Sequence, residues 1–291
     1  MICIQLLIEK ALSQFETNNT ICQIRAVSGG DINEAFLVET SKRQYFVKLN
    51  HKQSIDFFQF EADGLQKIAN TKTIAVPQVY GVTEIDKVPM LWLEWIEGRK
   101  TQDTAKLLGK QLAMMHLYEG PNFGYEKSGY IGSLQQENAL YDDWLSYYRD
   151  VRLKGQLEQG RARGFIRGQR EVLLVKLLEQ LHEWIPTQPK KSILHGDLWG
   201  GNWMVGTRGT PYLIDPAILY GDHEFELAFT ELFGGFNDVF YEAYQSIFPL
   251  SLEYDDRKEI YQLYYLLVHL NLFGESYGGA VDRILRRYVK K

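Results

Sequence analysis

Asp197 and Asn202 stand five residues apart in the run His195-Gly196-Asp197-Leu198-Trp199-Gly200-Gly201-Asn202. A carboxylate and an amide at that spacing suit a division of labour. The carboxylate takes a proton from an attacking hydroxyl, and the amide oxygen reaches a divalent cation beside phosphates. The two glycines before Asn202 predict a tight turn of the backbone. A second carboxylate, Asp215, follows Asp197 by eighteen residues at the end of the apolar piece Leu213-Ile214. It supplies a further oxygen ligand of the kind magnesium prefers. Together these residues predict metal-assisted transfer of a phosphoryl group to an alcohol. A lone His-Gly-Asp or Ile-Asp-Pro is an ordinary turn in most chains; the order and spacing carry the prediction.

That chemistry needs phosphates positioned and charge neutralised. Lys48 ends the β-like run Tyr45-Phe46-Val47-Lys48 and is the phosphate-binding candidate. Glu61, on the next helical segment, is placed to form the ion pair that aims it. Gly29, Gly30 and Asp31 lie between two strands, where a phosphate-covering loop belongs, although the full G-x-G-x-x-G pattern is missing. Glu94, Trp95 and Ile96 fit a hinge whose backbone meets an adenine edge.

The frame H-x-D-x-x-x-x-N is that of the protein-kinase catalytic loop, and Asp215 stands where D-F-G begins in those enzymes. Here, however, Asp215 runs through Pro216-Ala217 almost directly into Tyr220-Gly221-Asp222-His223-Glu224-Phe225-Glu226, which reads as a helix start. Asp222 is its N-cap, and Glu224 and Glu226 favour the helix dipole. No segment remains to hold an extended peptide, so the expected acceptor is a small molecule or small adduct.

The positioning elements follow from hydrophobic periodicity. Residues 2–16 read as an amphipathic helix, 21–27, 34–40 and 44–49 as strands, and 57–69 as a helix. Residues 75–82 and 90–96 read as strands. Beyond Gly98 the chain predicts helices over 104–117, 140–152, 168–184, 224–233, 238–246 and 252–273. Residues 118–133 read as a loop, and only 192–194 and 212–214 as short strands. The expected fold is α+β and two-lobed, of the protein-kinase-like type. Its β-rich N-terminal lobe spans 1–97 and binds nucleotide; its mainly helical C-terminal lobe spans 98–291 and carries catalysis and substrate.

The chain has 291 residues, 45% hydrophobic and 24% charged, with a formal net charge of −5. This composition excludes disorder, collagen and coiled coil. Mild acidity argues against nucleic acid or an anionic membrane as a partner. Cys3 and Cys22 have no metal-type spacing and fit a reducing cytosol. The N-terminus lacks the features of a signal peptide and no transmembrane run is present, so a cytoplasmic location is expected. His116 reads as a core histidine. Arg161, Arg163, Arg167 and Arg170 read as a solvated loop and helix start that could also attract an anion.

The sequence resembles the fructosamine kinase family, the ketosamine-3-kinases, within the aminoglycoside phosphotransferase and choline kinase group. The carriers are His195 through Asn202, with its Leu-Trp-Gly-Gly-Asn run, Ile214-Asp215-Pro216-Ala217 and Tyr220-Gly221-Asp222-His223-Glu224. Gly29-Gly30-Asp31-Ile32-Asn33, Phe60-Glu61-Ala62-Asp63-Gly64-Leu65 and His269-Leu270-Asn271-Leu272-Phe273-Gly274 add to it. The resemblance implies phosphorylation of the sugar 3-hydroxyl of ketosamines, using ATP and magnesium, as a deglycation or repair step on small-molecule ketosamines or glycated proteins. It makes Asp197 the base, Asn202 and Asp215 magnesium ligands and Lys48 a phosphate ligand, with Glu94, Trp95 and Ile96 at adenine. It places Trp199 and His269 at the sugar adduct. The chain departs from the family where a cysteine often accompanies the glycine loop, and where Asp often replaces Glu226. An aminoglycoside- or choline-type kinase is the alternative enzyme. A pseudokinase is the alternative of a different class, disfavoured by Lys48, Asp197, Asn202 and Asp215.

Overall fold

The computed structural model describes residues 4–27 and 32–289. The chain divides into two compact units, Met1–Thr104 with Trp203–Pro216, and Ala105–Asn202 with Ala217–Lys291. The sequence boundary at 97/98 was a single cut. The structure instead returns the segment after Asn202 to the first unit.

In the first unit, α1 (Ile4–Leu12) precedes three strands, β1 (Ile21–Ala26), β2 (Glu34–Thr40) and β3 (Gln44–Leu49). Helix α2 (Ile55–Thr71) and strands β4 (Val79–Ile85) and β5 (Val88–Glu94) follow. The strands form an antiparallel sheet in the order β1-β2-β3-β5-β4. A turn at Ser41-Lys42 closes β2 to β3, with the Thr40 N–H donating to the Arg43 carbonyl at 2.9 Å.

Side chains alternate along β3 with period two. Tyr45, Val47 and Leu49 join Leu7, Ile8, Ala11 and Leu12 of α1 in one core cluster, with Trp92 of β5. Phe46 and Lys48 therefore face the other side of the sheet. Helix α2 buries Phe57, Phe58, Phe60, Glu61, Leu65 and Ile68. Glu61 is the one charged group in that buried set, and its partner decides whether the helix is tolerated there.

The returning segment is a hairpin of Trp203–Val205 and Pro211–Leu213. It joins the first unit through the Leu213 N–H, which donates to the Ala75 carbonyl at 2.9 Å, and the Thr104 hydroxyl, which donates to the Gly209 carbonyl at 3.0 Å. Gly98 lies against it. A Cβ on Gly98 would stand 1.9 Å from the Gly206 carbonyl oxygen, a backbone atom that cannot yield.

In the second unit the helices are α3 (Thr104–His116), α4 (Trp144–Tyr147), α5 (Lys154–Arg163), α6 (Gly168–Gln180) and α7 (His223–Thr230). They continue with α8 (Asp238–Gln245), α9 (Tyr254–Phe273) and α10 (Gly278–Tyr288). Helix α9 is buried nearly all round, and Tyr261, Tyr264, Tyr265, Leu267 and Leu270 pack with Trp144, Tyr148 and Phe225 in its core.

This unit differs from expectation in several places, among them the strand Leu219–Gly221 and helix α10, neither of which was expected. The predicted loop and the start of the predicted helix over 140–152 contain short strands, Phe123–Gly124, Gly129–Ile131, Leu134–Gln136 and Leu140–Tyr141. Strands of two or three residues are too short to show alternation. The rest of that predicted helix is α4 followed by a π-helical turn, Tyr148–Leu153, which leads into α5. Helix α5 contains Gly155 and Gly160 and has almost no apolar periodicity, so its sequence carries no helix signal.

Among the described residues, no helix is long and apolar enough to cross a membrane. Gly29, Gly30, Asp31 and Cys3 lie outside those residues. Replacing Gly98 with Ala should destabilise the protein by about 1–3 kcal/mol through overpacking against Gly206. Thermal unfolding checks this, and an unchanged Tm would contradict the close approach.

Candidate active site

The sequence-predicted residues fall into two sets, one in each unit. In the first, the Lys48 ammonium on β3 reaches the Glu61 carboxylate on α2 at 2.8 Å and also contacts the Asp215 carboxylate. Lys48 is 5% and Glu61 7% exposed. Burial disfavours the Lys48 charge, but the Asp215 and Glu61 carboxylates outweigh it and hold the amine above its ordinary pKa. Burial pushes the Glu61 carboxyl up, against the Lys48 charge, because Glu61 shares one ammonium with Asp215. Asp215 has a left-handed backbone, φ +57°. That conformation costs a non-glycine residue about 1 kcal/mol and is characteristic of functional turns.

The hinge candidates lie at the end of β5. Glu94 is engaged with Gln78, exchanging backbone N–H to carbonyl at 2.9 Å and accepting the Gln78 N–H on its side chain at 3.1 Å. The Trp95 ring lies 6.2 Å from that of Phe46, and Ile96 is buried.

In the second unit, Ser192–Leu194 pairs antiparallel with Leu219–Gly221 and delivers the loop that begins at His195. The Ala217 N–H donates to the His195 carbonyl at 2.8 Å. Gly196 has φ +84°, and a Cβ there would stand 2.0 Å from the Ala217 carbonyl oxygen. Asn202 donates its amide to the Asp197 carbonyl at 2.8 Å and to Asp197 Oδ2 at 3.0 Å. The amide thus turns its NH2 to the half-buried Asp197 and leaves Oδ1 as its remaining donor atom. That oxygen in the second unit and the Asp215 carboxylate in the first are each hard oxygen donors of the kind magnesium prefers.

The predicted tight turn is present, with Gly200 and Gly201 at its centre and the Asn202 N–H donating to the Trp199 carbonyl at 2.9 Å, although neither glycine has a positive φ. Space requires glycine there as well. A Cβ on Gly200 would meet Gly235 Cα at 3.0 Å, and one on Gly201 would meet the Trp199 indole at 2.4 Å. Trp199 lies over Gly201 and is 42% exposed. His269 lies on α9 among Phe233, Phe273 and Tyr277.

Sequence reasoning missed what anchors the loop. Glu226, expected to serve the helix dipole, is fully buried. Its carboxylate accepts the backbone N–H of His195 at 3.2 Å and of Gly196 at 2.6 Å, and contacts His116 Nε2 at 2.8 Å. Burial opposes its charge, but the His116 hydrogen bond, His195 and the Gly196 amide prevail and lower its pKa. With Glu226 ionised, His116 Nε2 donates to it, and Nδ1 lies 2.6 Å from the Tyr244 hydroxyl. Tyr244 in turn faces His223 Nδ1 at 2.9 Å. His116 is a core histidine, as read, but one that positions the loop through Glu226. The available signal was a helical histidine that needs a partner, together with a Glu one turn into a capped helix. The cap itself is as expected: Asp222 accepts the Glu224 N–H at 3.0 Å, and also the Tyr261 hydroxyl at 2.6 Å. The arginine cluster is largely engaged within the protein, Arg161 with Glu171, Arg170 with Glu275 and Asp282, and Arg163 with the Asn271 carbonyl.

A β-rich unit carrying a buried Lys–Glu–Asp group, and a helical unit carrying an Asp–Asn loop, define a phosphotransferase of the protein-kinase-like fold. Comparison with known proteins narrows the class. The sequence profile of the fructosamine kinase family matches residues 4–291. A protein of Enterococcus faecium named "Probable ketoamine kinase" is 37% identical over 284 residues, covering 97% of this chain and 99% of that one. A Haemophilus somnus crystal structure named for fructosamine-3-kinase has a TM-score of 0.88 at 29% identity, covering 98% of both chains. An aminoglycoside phosphotransferase, at 14% identity and a TM-score of 0.62 over 96% of this chain and 97% of its own, shares the fold. The chain belongs to the fructosamine kinase family, and it is a kinase.

The buried groups beneath the loop give a pH signature. Burial, with His116 nearby, lowers His223 from 6.5 to about 3. Between those values the unfolded chain holds the extra proton, so this group makes stability fall as pH falls. Asp222, pushed up by burial and Glu224 from 3.8 to about 6, acts with the opposite sign between its two values. His223→Asn should remove the first effect alone, changing the slope of stability with pH between 6 and 4 by about 1.4 kcal/mol per unit. Unfolding measured across that range checks it; an unchanged slope would contradict a neutral buried His223.

Proposed function

We propose that this protein transfers the γ-phosphoryl group of ATP to the 3-hydroxyl of a ketosamine, a ribulosamine or fructosamine adduct, free or on a glycated protein. The role in this reading is cytoplasmic deglycation or repair. The observation that supports it most is the Lys48 ammonium held by Glu61 and Asp215 in a chain of this family.

Each residue then has a task. Lys48 neutralises phosphate charge, and its two carboxylates keep it protonated and aimed. Asn202 and Asp215 are the magnesium ligands; the ion, when bound, neutralises charge on the phosphates. Glu94, Trp95 and Ile96 meet the adenine, and Gly29, Gly30 and Asp31 cover the phosphates. Asp197 orients the sugar hydroxyl and accepts its proton as the O–P bond forms and the bond from Pγ to the bridging oxygen of ADP breaks. Glu226 fixes the backbone at His195 and Gly196, so Asp197 does not have to be ordered during the reaction. Trp199 offers an aromatic face to the sugar, and His269 meets the adduct.

The test is ATP-dependent phosphorylation of ribuloselysine and fructoselysine, with the product located by phosphorus NMR, for wild type and Asp197→Asn. A 3-phosphate from wild type, and turnover reduced by at least about 10²-fold in the variant, is expected. Turnover of aminoglycosides or choline with both ketosamines ignored would replace this reading with another small-molecule kinase. Nucleotide binding without turnover of any acceptor would leave a pseudokinase.

A further inference from the structure

Four ring side chains gather at the C-terminal end of α9. The ring centroid of His269 lies 4.7 Å from Phe233, 5.0 Å from Tyr277 and 5.6 Å from Phe273. His269 and Phe273 are one helical turn apart on α9, whereas Phe233 follows α7 and Tyr277 lies in the turn before α10. Three separate segments thus converge on one imidazole. Phe233 is 40% and Phe273 57% exposed, so large aromatic faces are left in water beside it.

The imidazole has a defined chemistry. His269 Nδ1 lies 2.8 Å from the Tyr265 carbonyl, an acceptor only, so Nδ1 carries the proton. Nε2 then offers a lone pair and no hydrogen, and it has no partner among the described residues. Burial lowers the ring's pKa against the opposing Tyr265 carbonyl and so favours its neutral form. The nearest acid in sequence, Glu275, is engaged by Arg170 at 2.6 Å.

The cluster borders the catalytic loop. Gly200, three residues after Asp197, packs backbone to backbone against Gly234 and Gly235, which directly follow Phe233. Tyr265, one turn before His269 on α9, donates its hydroxyl to the Gly196 carbonyl at 3.0 Å, so the helix that carries the aromatic group is also tied to the residue before Asp197.

We propose that Phe233, Phe273 and Tyr277, around His269, recognise the amine end of the acceptor as an alkylammonium, the ring faces taking its charge and Nε2 accepting its N–H. Aromatic faces attract such a cation through their quadrupoles. A lone-pair nitrogen without a proton selects a donor, and the amine of a ketosamine in its protonated form is both cation and donor. This deepens the ketosamine reading above and rests on it.

The test compares two acceptors that differ at one atom, a 1-alkylamino-1-deoxyribulose and its neutral 1-O-alkyl ether isostere, in wild type, Phe233→Leu and Phe273→Leu. Leucine keeps apolar area and removes the ring face, and both positions are exposed enough to tolerate it. Wild type should prefer the amine by roughly tenfold in kcat/KM, expressed mainly in KM. Each variant should lose most of that preference while its KM for ATP stays unchanged. Equal use of amine and ether by wild type, or a preference retained in both variants, overturns the inference while leaving the ketosamine reading intact. Turnover of neither acceptor by wild type overturns both.

Discussion

The Lys48 ammonium, almost out of water, lies between the carboxylates of Glu61 and Asp215. Burying a charge costs several kcal/mol unless partners replace its hydration, and removing one partner of such a group leaves the others uncompensated. The first unit is built to satisfy that constraint. Period-two alternation sends Val47 and Leu49 into the core with α1 and sends Lys48 to the opposite face. Helix α2 buries a carboxylate in an otherwise apolar stripe to meet it. The chain returns 167 residues later, through the hairpin that packs at Gly98 and Ala75, to bring the second carboxylate. One cation thereby specifies the relation of a strand, a helix and a distant segment.

The second unit solves a related problem with the opposite charge. Glu226, fully buried, has its negative charge satisfied by the backbone amides of His195 and Gly196 and by His116. Fixing amides rather than side chains defines the path of the backbone, and Asp197 is set by the path. Tyr244 and His223 extend the chain of hydrogen bonds away from the loop, and the Phe248 ring stacks on His223 at 3.8 Å. The polar chain is thus enclosed by aromatic packing, where its hydrogen bonds are strongest and an error in one is most costly.

Much of this was legible in the residues. The strands and helices of the first unit are long enough to be read from their apolar content, and Lys48, Asp197, Asn202 and Asp215 were singled out from their motifs and spacing. The motif frame also led to the family. What could not be read has physical reasons. Strands of two or three residues, as at Phe123–Gly124, have no period to detect. Helix α5 has no apolar stripe, because its burial comes from Leu157 and from the close contact of Gly160 with Ile166. Glu226 looked like a first-turn acid because local sequence cannot show that its helix is buried on every side. Gly200 and Gly201 were legible as turn residues but their close contacts were not, because a glycine chosen for closeness and one chosen for backbone freedom are the same letter.

In the proposed function, Glu61 aims the Lys48 ammonium at phosphate. The kinetics of Glu61→Gln address this, with circular dichroism to show that the variant is folded. Glutamine keeps the size and one hydrogen-bonding oxygen but removes the charge that holds the ammonium. If Glu61 has this role, kcat/KM for ATP falls on the order of 10²-fold while the KM for the ketosamine is unchanged. A folded variant with wild-type kcat/KM for ATP would contradict it.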